Sequence, residues 1–211
     1  MTTDPLDRFR RAAKALKKAH EARDPDAITR LKAHPPRLPG AALKHADYLH
    51  VIALENAYAS WPAMKAAIET LGLDRAEKLN RLKLALFHGQ TAVVQALMQD
   101  SPDLADGHAG LLAALYERDK LAALIADDPT IATKPLGPRN ALLHLAGSKM
   151  IHVWPEREAD MLAIADLLLA HGADVNAGMA QPGTDHSLSP LYFALGHAGN
   201  MVLARWLLEH G

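Results

Sequence analysis

Residues 167–177 read LLLAHGADVNA, a run of apolar residues at helical spacing that ends in a glycine-containing turn. A partial copy, WLLEHG, occupies residues 206–211, and the glycines of the two copies, Gly172 and Gly211, are 39 residues apart. A helix end and turn that recur along a chain are typical of proteins built from stacked repeats. The segment therefore predicts a stack of similar helix pairs.

Composition excludes several classes of protein. The 211 residues include no cysteine, which excludes disulfides and Cys-ligated zinc or iron–sulfur centres. With a formal charge of −1, the protein carries no net positive charge that would attract it to nucleic acid or to an anionic lipid surface. No apolar run approaches the ~18 residues of a membrane span, and the N-terminus lacks the apolar segment of a secretory signal. Together with the absence of cysteine, these features lead us to expect a cytoplasmic protein. Alanine and leucine dominate the apolar residues, so we expect an all-α fold without a significant sheet.

The same unit can be followed back through the chain. Val94 and Leu97 precede Pro102, and Leu121 and Leu124 precede Pro129. Proline ends a helix because it lacks the backbone donor and clashes with the preceding turn. The pattern predicts six helix pairs, and their approximate spans are residues 5–38, 41–72, 78–105, 108–132, 139–177 and 187–211.

Two inner-helix starts, ALLHLA at residues 141–146 and SPLYFA at residues 189–194, resemble the T-P-L-H-x-A motif of ankyrin repeats. The resemblance implies an inner helix, an outer helix and a hairpin loop in each unit. It also implies an ankyrin-like solenoid in residues 76–211, capped by degenerate helical units in residues 1–75. Residues 50–69 are similar to a segment that precedes ankyrin repeats in bacterial proteins, which implies a bacterial source.

Most ankyrin repeat proteins bind another protein, and the resemblance implies the same role here. Binding is expected at the exposed side of the inner helices and at the hairpin tips. Phe87 and Tyr116 are the expected anchors, because aromatic side chains bury much area at little entropic cost. The expected inner-helix residues are Phe87, His88, Tyr116, Glu117, Ser148, Lys149 and His197. The expected tip residues are His108, Arg139, Asp185 and His186.

Two segments depart from the family pattern. The first is MIHVWPER at residues 150–157, in which Trp154 either folds back over a helix end or forms an exposed anchor for a partner. The second is the last helix, where Val202 and Trp206 lie outside the expected core positions. This placement predicts self-association or partner docking through the C-terminal helix.

The first helix is strongly basic, since residues 1–34 hold nine Lys or Arg against five Asp or Glu. Its charges indicate either the solvated outer face of a capping unit or a site for nucleic acid or another acidic partner. The basic residues of the helix are Arg8, Arg10, Arg11, Lys14, Lys17 and Lys18.

Catalytic, metal and cofactor motifs are not apparent. The histidine pair His45 and His50 lacks the i, i+4 spacing of a helical zinc site, and no acidic cluster completes it. No nucleophile elbow or phosphate-binding glycine loop occurs. We therefore expect a protein that is not an enzyme and holds no cofactor. Its expected function is protein–protein interaction, as an adaptor, an inhibitor or an immunity-type protein.

Overall fold

The computed structural model describes residues 4–35, 42–181 and 183–211. Within these residues the chain forms twelve helices and one small two-stranded sheet, so the all-α prediction is confirmed. None of the described helices is both long and apolar enough to cross a bilayer. Contacts divide the chain into two compact units, Met1–Leu73 and Asp74–Gly211.

The first unit contains two helical hairpins around their own core. Phe9, Ala13 and Leu16 recur at helical spacing in α1 and are buried, so one face of this helix packs on α2 and α3. Ser60 caps α4, and its hydroxyl accepts from the Ala63 amide at 3.3 Å. The helices are α1 (Asp7–Glu21), α2 (Pro25–Ala33), α3 (His45–Glu55) and α4 (Trp61–Thr70).

Part of the predicted organisation of this unit lies outside the described residues. The end of the first predicted helix pair at residue 38, and the start of the second at residue 41, fall between the described segments.

The second unit contains the remaining helices and a hairpin. Its elements are α5 (Arg75–His88), α6 (Thr91–Asp100), α7 (Ala109–Ala114), α8 (Arg118–Asp127), α9 (Ala141–Ala146), α10 (Glu158–Ala170), β1 (Met179–Ala180), β2 (Ser187–Leu188), α11 (Pro190–Tyr192) and α12 (Met201–His210). Short 3-10 turns lie at Pro129–Ala132, Met150–His152 and Pro155–Arg157, and α11 continues into a π-helical turn at Phe193–Ala198.

Consecutive helices of the second unit pack as hairpins. The helices α7, α9 and α11 contact one another in order, as do α8, α10 and α12. Leu143, Leu168 and Leu207 lie in the core between these rows. Units stacked in one simple row would touch only their neighbours. The helix α5 departs from such a row, because Phe87 near its end contacts Phe193 of the last helix pair.

The strands β1 and β2 lie in the long turn between the fifth and sixth helix pairs. They pair antiparallel, with Met179 opposite Leu188. A Cβ on Gly178 would lie 2.9 Å from the Leu188 carbonyl oxygen and 2.9 Å from the Ser187 hydroxyl oxygen. Glycine therefore allows the two arms of this hairpin to approach closely.

Candidate functional site: a cationic cluster around Phe87

The C-terminal end of α5 carries the aromatic side chain at the centre of the candidate site. Ala85 and Leu86 are buried, so the preceding turn of the helix is held on the core. The helix ends at His88, and Gly89 follows with a φ of 69°, a left-handed conformation that glycine adopts without steric cost. Phe87 is thus fixed, half-buried, at the last turn of α5.

Three side chains from other parts of the unit meet the Phe87 ring. His197 stacks on it with 3.7 Å between ring centroids, and Phe193 approaches edge-on at 6.1 Å. The Arg139 guanidinium lies 4.6 Å from the ring centroid, within the range of a cation–π interaction. His197 also donates from Nε2 to the Phe87 carbonyl at 2.8 Å, since a carbonyl can only accept. These contacts make the cluster a rigid part of the fold.

The cluster is positively charged. Within the described chain, Lys83, Arg139 and Lys149 make no ion pair, and the Arg139 guanidinium has no hydrogen-bond acceptor. Burial lowers the pKa of Arg139. Burial also lowers the pKa of His197, and the nearby basic side chains, chiefly Lys149 and Arg139, lower it further. The charges that act on this imidazole are therefore all of one sign.

The neighbouring His144 is a structural residue beneath the cluster. Burial first, and then the charges of Arg139 and Lys83, lower the pKa of His144 to about 4. The imidazole lies against Gly110 of α7, where a Cβ would be 2.5 Å from His144 Cδ2. A neutral ring therefore fills the space between α7 and α9.

Several predicted partner-binding residues of the inner helices are not exposed. Tyr116 is 0% exposed, and Ser148 is buried with its hydroxyl donating to the Ala114 carbonyl at 2.7 Å. Both predictions of an exposed position are wrong. The helix α7 ends at Ala114, so Tyr116 lies past it with a φ of 62° and points into the core. Glu117 is half-buried and pairs with Arg157 at 3.3 Å.

The inserted segment at residues 150–157 folds onto the core. Met150 and Ile151 are buried, and Trp154 is half-buried against the same core. His152 Nε2 donates to the Ala198 carbonyl at 2.7 Å, while Arg157 donates to the carbonyls of the chain just after α7. These contacts favour the interpretation that Trp154 covers a helix end.

The predicted exposure of the last helix is partly wrong. Trp206 is buried, donates from Nε1 to Asp166 Oδ1 at 2.8 Å and stacks on His210. Val202 is half-buried and packs against the core. The large apolar side chains that the last helix pair does expose are Tyr192, Leu195, Met201 and Leu208, with exposed fractions of 53%, 42%, 65% and 65%. Helical spacing from the buried Leu203 and Leu207 could have identified the last two.

The tip residues are spread over several loops. Asp185 and His186 are exposed in the turn between β1 and β2. His108 is half-buried just before α7, and burial lowers its pKa. Arg139, expected at a tip, instead lies over Phe87. The structure thus joins Arg139 to Phe87, His88, Lys149 and His197 and leaves the other tip residues apart. Lys83, which sequence reasoning missed, lies one helical turn before Phe87.

The basic residues of α1 divide into a paired and an exposed set. Arg10 bridges Asp4 and Asp7 at 2.5 and 2.9 Å, and Lys17 lies 3.7 Å from Glu21. The exposed set recurs at helical spacing, on the side of α1 away from the core, and comprises Arg8, Arg11, Lys14 and Lys18.

The described residues contain no group of three or more histidines, cysteines or acids that could hold a metal ion. What the cluster around Phe87 offers chemically is a set of N–H donors with positive charge.

Comparisons with models of protein families, with curated proteins and with solved structures gave no significant match.

Proposed function

We propose that this chain is a non-catalytic module that binds another protein. The observation that carries the proposal is the exposed apolar surface of the last helix pair. Tyr192 and Leu195 lie one turn apart on one helix, and Met201 and Leu208 lie two turns apart on the next. Large apolar side chains that a folded protein leaves exposed are typical of protein interaction sites.

The arrangement of helices supports the same role. Ordered contacts along α7, α9 and α11, and along α8, α10 and α12, are what an ankyrin-type stack would make. We propose that the second unit is such a stack, and that it differs from a regular one because the end of α5 contacts the last helix pair. A stack of this kind presents side chains on a rigid scaffold, as a recognition module requires.

Affinity capture tests the proposal. The tagged chain is used as bait in a lysate of its native cells, beside the variant Leu195→Glu/Met201→Glu. Both positions are exposed, so the variant should keep its helical circular dichroism and melting temperature. We expect it to lose most of the captured partner, because a charge in an apolar interface is left desolvated.

The matched control is Leu84→Glu, which changes another exposed leucine, 57% accessible, on α5. It should capture as much partner as the unaltered chain. Capture of no protein, or equal capture by the double variant, would count against the proposal.

A second candidate function is the binding of nucleic acid or another acidic partner by α1. The observation that favours it is the exposed stripe of Arg8, Arg11, Lys14 and Lys18. Binding of this kind weakens steeply as salt rises, because phosphate contacts release counterions. Retention of the chain on heparin, lost in Arg11→Gln/Lys14→Gln, would support it, and no retention at low salt would reject it.

A further inference from the structure

We infer that the cationic cluster around Phe87 is a binding site for carboxylates of an acidic peptide segment. The groups that would receive the carboxylates are Arg139 and Lys149, with Lys83 and His88 at the exposed edge. The inference rests on the proposed function, since the ligand is a segment of a partner protein. It names a second contact surface and the chemistry that this surface selects.

The guanidinium at the centre of the cluster lacks partners among the described residues. Arg139 is half-buried, yet no described acid pairs with it and no described acceptor binds its guanidinium. A partly desolvated cation without acceptors costs free energy that an incoming carboxylate would recover. The guanidinium carries a planar fork of N–H donors that matches the two oxygens of a carboxylate.

The donors of the cluster are already held in place by the fold. The guanidinium of Arg139 lies over a ring that is itself held by His197. The Lys149 amide donates to the Leu86 carbonyl at 3.3 Å, which fixes the loop after α9 against the end of α5. Donors that are already in place lose little conformational entropy when a ligand binds.

The charge of the second unit favours a short acidic peptide over a nucleic acid. Residues 74–211 hold 16 acidic side chains against 11 basic ones. A long polyanion would meet this net negative charge over most of its contact area. A few carboxylates placed at the cluster would interact chiefly with Lys83, Arg139 and Lys149. The local charge thus complements an acidic segment, while the unit as a whole repels nucleic acid.

The test measures binding of fluorescein-labelled decaglutamate to the full chain by fluorescence anisotropy. We expect Arg139→Gln/Lys149→Gln to weaken binding by about tenfold or more, as loss of close charge pairs does. Rising NaCl should weaken binding to the unaltered chain. Since Arg139 contacts Phe87, the fold of the variant is checked by circular dichroism. A second variant, Lys83→Gln/Lys149→Gln, avoids that contact and should also bind several-fold more weakly.

The charge-matched control is Arg11→Gln/Lys14→Gln, which removes one Arg and one Lys from α1 and should bind decaglutamate as the unaltered chain does. No binding, equal loss in cluster and control variants, or loss in the control alone would overturn the inference. Displacement of the peptide by excess inorganic phosphate, but not by acetate at equal ionic strength, would also overturn it in favour of a phosphate site.

This assay requires no native partner. Failure to bind decaglutamate leaves the apolar surface of the last helix pair as a protein-binding site. Failure to capture any protein from a lysate leaves the measured peptide affinity intact. The two failures are therefore distinguishable.

Discussion

At the scale of single residues, Gly110 shows how closely α7 and α9 pack. An added Cβ would lie 2.5 Å from His144 Cδ2 and 2.8 Å from Cγ, and the confined ring has little room to move. We expect Gly110→Ala to lower the free energy of unfolding by about 1–3 kcal/mol, the usual cost of overpacking. Urea denaturation followed by circular dichroism measures this change.

Gly196→Ala is the matched control for that substitution. The nearest atoms to its added Cβ are those of the Tyr192 ring, at 3.6 Å or more, which is ordinary contact. Alanine there should leave stability unchanged or raise it by up to about 1 kcal/mol, because helical glycine is unfavourable. Equal losses at both glycines would mean that the close approach to His144 is not the cause.

Tyr116 shows why the sequence could not place every site residue. Helical periodicity assigned it to an exposed helix face, but the helix stops at Ala114. A non-glycine residue with a φ of 62° is locally unfavourable, and burial of the phenol ring offsets that cost. No local sequence pattern predicts such a turn, because tertiary packing determines where the Tyr116 side chain lies.

At the scale of elements, the segment at residues 150–157 allows a test of whether Trp154 stabilises the fold or binds a partner. Trp154 is half-buried against the core, so Trp154→Ala should remove about 1–3 kcal/mol of stability, less than for a fully buried tryptophan. The melting temperature should fall by about 2–4 °C per kcal/mol. Glu156→Ala, at an exposed position of the same segment, should not change it. An unchanged melting temperature with lost capture of a partner would instead identify Trp154 as an anchor.

The helices themselves were largely predictable, whereas the place of α5 was not. Apolar spacing and caps such as Ser60 indicated where helices begin and which faces are buried. Periodicity gives the buried face of a helix but not the helix that covers it. Phe87 and Phe193 are in contact although they lie more than a hundred residues apart in the chain, and one sequence does not reveal such a contact.

At the scale of the whole second unit, His144 predicts a dependence of stability on pH. Its folded pKa is about 4, whereas its ordinary value is 6.5. As pH falls below 6.5, the unfolded chain takes up a proton that the folded chain does not. Stability is therefore lost on acidification, by up to about 2 kcal/mol between pH 7 and pH 5.

The variant His144→Gln should flatten this dependence in urea titrations at the two pH values. His108 and His197, whose pKa values are also lowered, will leave a residual slope of the same sign. An unaltered slope in the variant would show that the imidazole is not held neutral by the fold.

The contact between Phe87 and His197 has a consequence for how the second unit opens. In a linear array the terminal hairpin can fray while the rest stays folded, so its amide hydrogens exchange fastest. Here the Phe87 ring of the third helix pair stacks on the His197 ring of the sixth, with 3.7 Å between their centroids. Amides of α12 should therefore exchange as slowly as those of α7, through one cooperative event. Phe87→Ala removes this contact, so the amide hydrogens of α12 should then exchange faster than those of α7.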